Sequence, residues 1–165
     1  MRPLLLLALL VLPAACAVPN DGEDGEQTAA GTSRWVGTVA VVGSAPMNVA
    51  VVLRDDDPRA FNPYLTGPLV SELRRLSGLT VAVEGEEPER PGWIEVERYQ
   101  VLSLDGDPVV AGVVERGEEG ELVLRTSDGT RYPLSGAEGR VEPGWKIWVK
   151  GDPGLALSVY GVIRD

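Results

Sequence analysis

The sequence contains no histidine and a single cysteine, Cys16. Without histidine there is no Ser-His-Asp triad, no imidazole acid–base pair and no His-ligated metal. One thiol excludes an intrachain disulfide and any zinc site built on several thiolates. Bases are also short: 15 Lys and Arg against 25 Asp and Glu give a formal charge of −10. Such a surface repels a phosphate backbone, so nucleic acid is not an expected partner. Apolar runs are brief. The longest, residues 4–12, is too short to span a bilayer as a helix. There is no G-x-S-x-G elbow, no S-x-x-K pair and no Walker A loop. Only carboxylates, hydroxyls, Lys and Arg remain for chemistry. A carboxylate pair for glycoside hydrolysis stays open, although no spacing singles one out. The expectation is a protein that is not an enzyme and uses no metal or cofactor.

What is present begins with an address. Arg2 precedes the apolar run, and Pro13-Ala14-Ala15-Cys16 follows it with small residues. Residues 1–16 therefore read as an export signal. Ala14-Ala15-Cys16 resembles the lipobox of bacterial lipoproteins, with Pro13 departing from the aliphatic residue usual at its place. The resemblance implies cleavage before Cys16, lipidation of its thiol, and attachment to a membrane of the cell envelope. With Ala17 rather than Asp after the cysteine, it implies the outer membrane where a cell has two, and the cell surface otherwise. The competing reading is ordinary signal cleavage after Ala15-Cys16-Ala17. Residues 17–33 carry Asp21, Glu23, Asp24 and Glu26, no base and no apolar period. They predict a disordered acidic tether with a reach of about 20–25 Å.

From Trp35 onward, Val, Thr, Trp and Tyr runs are cut by Gly, Pro and Asp-Gly, which predicts strands. The pattern also repeats. Gly78-Leu-Thr-Val-Ala-Val-Glu-Gly85 matches Gly144-Trp-Lys-Ile-Trp-Val-Lys-Gly151, and the segment around Tyr99 matches that around Tyr160. Tyr64-Leu-Thr-Gly67 resembles Tyr132-Pro-Leu-Ser-Gly136 with one residue added, and Gly37-Thr-Val resembles Gly112-Val-Val. Four anchors in one order point to a duplication. Strands are expected over 35–42, 48–54, near 64, 79–84 and 94–102, then 109–116, 121–126, 131–134, 145–150 and 157–163. Asp128-Gly129 suits a two-residue hairpin turn. Pro68 and Gly78 bracket a short helix, with Leu69, Leu73 and Leu76 on one face and Glu72 and Arg75 pointing away. Residues 137–143 are too Gly- and Pro-marked for much helix.

Three strands, a helix and two strands is the order of an OB-fold barrel. The units resemble small OB-like domains of bacterial exported proteins with no assigned function. The resemblance implies an all-β fold with one short helix: two tandem five-stranded barrels over 34–106 and 107–165. Units this small, without disulfides, are expected to pack against each other.

In the strand at 145–150, alternation puts Trp145, Ile147 and Val149 on one face and Lys146, Trp148 and Lys150 on the other. Trp148 between two lysines is a candidate binding surface for a sugar, a base or anionic lipid. The alternative is that Trp148 packs between the units, under the lysine stems. Asp55-Asp56-Asp57 and Asp105-Gly106-Asp107 have the oxygen chemistry for Ca²⁺ but not its loop spacing, and read as solvated turns. The acidic loop 84–92 would edge the binding face of an OB-like barrel, and otherwise serves solubility. Phe61, Tyr64, Trp93, Tyr99 and Tyr132 are the other conspicuous aromatics, with Tyr99 and Tyr160 read as fold-maintaining. The functional expectation is a non-enzymatic envelope binding or interaction module, with an envelope protein or glycan as partner. A purely structural assembly component and a carboxylate-based hydrolase are the rival readings.

Overall fold

The computed structural model describes residues 32–44, 48–151 and 156–165. The predicted signal segment, Cys16 and all but the end of the predicted tether lie outside these described residues. Ten strands and one short helix follow. The first half holds β1 (Ser33–Val42), β2 (Ala50–Arg54), β3 (Tyr64–Thr66), α1 (Val70–Arg74), β4 (Leu79–Glu86) and β5 (Trp93–Leu104). The second holds β6 (Asp107–Arg116), β7 (Leu122–Arg125), β8 (Arg131–Pro133), β9 (Lys146–Lys150) and β10 (Tyr160–Arg164). The described residues are all-β apart from that helix. Among the described residues no helix is long and apolar enough to cross a membrane.

The first five strands close a ring. β1 pairs antiparallel with β2 and β4, β4 with β5, and β2 with β3, while β3 and β5 run parallel and complete the circuit. Alternation drives the closure, since Val81, Val83, Ile94 and Val96 all point inward and are fully buried. The second half departs from the expected barrel. β6 pairs with β7 and β9, β7 with β8, and β9 with β10, but β8 and β10 share no ladder among the described residues. One parallel bridge, Ser135 to Ala156, stands where the closing pair would be. β8 is only three residues long and contains Pro133, which has no N–H to extend a ladder.

The repeated sequence anchors hold matching ladder positions. Tyr99 lies opposite Val83, and Tyr160 opposite Val149; Val101 lies opposite Val81, and Val162 opposite Ile147. Gly37 faces Val81 on β4, and Gly112 faces Ile147 on β9. A Cβ on either glycine would collide with the carbonyl of the arginine that ends the next strand, Arg54 or Arg125. The glycines therefore let neighbouring strands approach where a side chain cannot fit. Gly112→Ala should lower stability by about 1–2 kcal/mol, as overpacking does, read as a drop in the urea midpoint at unchanged slope.

The halves are joined by a hairpin. Ser103 pairs with Pro108 and Leu104 with Asp107, and Asp105 and Gly106 both have positive φ, 52° and 83°, as a two-residue type I′ turn requires. The turn predicted at Asp128-Gly129 is instead a three-residue loop. The Thr126 N–H bonds the Thr130 carbonyl, and only Gly129 has positive φ. Two apolar cores result. Val109, Trp148 and Ile163 join the ring's core, whereas Val114, Ile147, Val149 and Leu157 form the second. The sheet β6–β9–β10 thus lies between both cores and buries side chains on each face.

Candidate functional site

Two places bring together side chains able to bind or react. The first is the seam between the halves. α1 carries Leu73 and is followed by Leu76, both fully buried in the ring's core. The expectation that Glu72 points to solvent is overturned: its residue exposure is 8%. The cause is that α1 is covered twice, by the ring on one side and by β9 and β10 on the other. The Glu72 carboxylate accepts the Tyr99 hydroxyl at 2.5 Å and the Lys146 ammonium at 2.7 Å, with an Arg164 guanidinium nitrogen at 3.4 Å. The Lys146 ammonium also lies 4.4 Å from the centre of the Tyr99 ring. Nearby, Arg75 points outward as expected and pairs with Asp165 at 2.9 Å.

These contacts fix the protonation states. Burial pushes the Glu72 carboxyl up, but the hydrogen bonds from Lys146 and Tyr99 and the charges of Lys146 and Arg164 outweigh it, leaving it below its ordinary 4.5. Burial, and then the hydrogen bond to Glu72, push the Tyr99 phenol far above its ordinary 10. Near neutral pH Glu72 is an ion and Tyr99 a neutral donor.

The seam opens into two adjoining grooves of about 270 and 620 Å³ that share Tyr99, Gln100, Ser127 and Lys146. Of the three residues expected to form a binding surface, none is freely presented there. Trp148 is buried in the ring's core at 8% exposure, so it is the packing reading that describes it, not the stacking platform. Alternation on β9 holds, but both faces are covered. Lys146 is engaged with Glu72, and Lys150 pairs with Asp107 at 2.6 Å.

The second place is one end of the ring. Tyr64 on β3 and Trp93 on β5 are opposite each other in the parallel pair, and their rings stack at 5.0 Å between centres and 21° between planes. The Arg90 guanidinium lies 4.2 Å from the centre of the Trp93 ring. Phe61 sits against Gly92 and is 69% exposed; Tyr64 is 39% exposed. The sequence marked Phe61, Tyr64 and Trp93 only as conspicuous aromatics and gave them no role. The signal that separates Tyr64 from Tyr132 is the extra residue in the second half. Tyr132 and Leu134 lie two apart and both turn inward to the second core. Tyr64 and Leu65 are adjacent, so burying Leu65 forces Tyr64 outward.

The acidic turns behave as turns. Asp55 accepts the Asp57 N–H at 2.8 Å, and Asp57 accepts the Arg59 N–H at 2.9 Å. Among the described residues no group of three or more Asp, Glu, His or Cys is arranged to hold a metal ion. Comparison with protein-family models, with curated proteins and with solved structures finds no match to this chain.

Proposed function

We propose that the protein is a non-enzymatic binding or interaction module of the cell envelope, exported and held at a membrane through lipidated Cys16. The observation that carries the binding role is the aromatic end of the ring. Monomeric proteins seldom leave large aromatic side chains together at the surface without a partner to cover them, and here Phe61 and Tyr64 do so beside Trp93. The engagement of Glu72 by Tyr99, Lys146 and Arg164 favours this reading over a carboxylate-based hydrolase built on that residue. We further read the halves as two OB-like units. Support comes from the closed ring with α1 between β3 and β4, and from the matching registers of the second half.

The membrane anchor rests on the sequence around Cys16 and is tested there. Cys16→Ser should move the protein from the membrane to the soluble fraction while its captured partners stay the same. Unaltered membrane retention would count against lipidation, and loss of every partner would count against an independent binding module.

A further inference from the structure

We propose that the aromatic end of the ring takes a basic polypeptide segment, with Lys or Arg side chains laid on Phe61 and Tyr64 and paired with the surrounding carboxylates. This names the partner class for the surface on which the binding-module reading rests. Three observations carry it.

The first is that the chain already seats a cation there. Arg90 lies over one face of Trp93 and Tyr64 stacks alongside, so the site holds a guanidinium on an aromatic ring in its own structure. Tyr64 and Phe61 extend that aromatic surface outward and remain exposed.

The second is charge. The two loops that meet where Phe61 touches Gly92 are 55–63 and 87–92. They carry five acids, Asp55, Asp56, Asp57, Glu87 and Glu89, against two bases, Arg59 and Arg90. All seven are exposed, and Arg90 is committed to Trp93.

The third is the absence of internal compensation. At the seam and on the strands several acids meet bases, Glu72 with Lys146, Glu84 with Arg98, Glu115 with Arg125 and Asp107 with Lys150, while Glu86, Glu95 and Glu97 on β4 and β5 have no ion-pair partner among the described residues. None of the five loop acids has an ion-pair partner among the described residues. Aromatic faces combined with uncompensated carboxylates suit a cationic side chain. A neutral sugar would use the rings and leave the charge unmatched.

The test is calorimetric titration of the full chain with an arginine-rich peptide, with a neutral oligosaccharide and anionic-lipid vesicles as competing probes. Phe61→Ala should weaken peptide binding about threefold to tenfold with the melting temperature unchanged, because Phe61 packs on little. Asp56→Asn with Glu87→Gln should weaken it further than Glu118→Gln with Glu119→Gln, which removes equal charge from a distant turn. Equal losses from the two charge variants with no effect of Phe61→Ala would mean unspecific attraction to the protein's net charge, and would overturn the proposal. Binding of the oligosaccharide or the vesicles, but not the peptide, with dependence on Phe61 would also overturn it, yet leave the binding-module reading standing. If no probe responds to Phe61→Ala while membrane partners are still captured, the basic-partner assignment fails and the module reading survives.

Discussion

Replacing Trp148 with alanine should lower folding stability by about 3–5 kcal/mol, the largest single loss expected in this chain. The indole belongs to the ring's core although its strand belongs to the second half. It lies against Gly161 on β10, where a Cβ would come within 2.7 Å of the indole Cε2. The glycine thus makes room for the ring, and truncation would leave a cavity between the halves that neither backbone is placed to fill. Against a typical total of about 5–15 kcal/mol for a domain, a sizeable fraction of the variant would be unfolded at 37 °C. Urea denaturation without any ligand present measures it. A loss under about 1 kcal/mol would mean that Trp148 is not part of the packing.

Removing the Glu72 carboxylate should cost nearly as much, about 2–3 kcal/mol for Glu72→Ala. That lies under the 3–5 kcal/mol of a fully buried broken pair, because the Lys146 side chain is 26% exposed and can partly recover water. What is lost is shared by three elements: the Tyr99 hydroxyl on β5, the Lys146 ammonium on β9 and the Arg164 guanidinium on β10 all lose their acceptor. The acid dependence follows from the sign of the shift. The folded pKa of Glu72 lies below its ordinary 4.5, so its contribution is complete above that value and disappears as pH falls through the folded pKa. Glu72→Gln keeps an acceptor for Tyr99 but cannot titrate. Urea midpoints between pH 7 and 3 should therefore fall more steeply for the parent than for this variant. Parallel curves would remove Glu72 from the acid response.

Much of the fold was legible because strand chemistry is local. Alternating Val, Ile and Leu marked the strands, Asp105-Gly106 marked a turn, and Gly37 and Gly112 marked two matched positions whose registers agree. The candidate site was harder to see. A period of two tells which residues share a face, not what lies over that face. Lys146 and Trp148 do share one, as expected, but the ring covers it. Glu72 fell on the polar side of a helix whose second neighbour lies more than 70 residues later in the chain, at Lys146 and Arg164. The open second half was likewise hidden, since β8 keeps a strand-like sequence although Pro133 has no N–H to offer a further ladder.

The extra residue between Tyr132 and Leu134 has a consequence beyond this one structure. In a strand, adding or deleting one codon exchanges inside for outside for every side chain on one side of the change. Here the shorter form presents Tyr64 to solvent beside Trp93, and the longer form commits Tyr132 to a hydrophobic interior. One residue more or less in otherwise similar segments thus moves a tyrosine between surface and core, with no need to alter the aromatic residue itself.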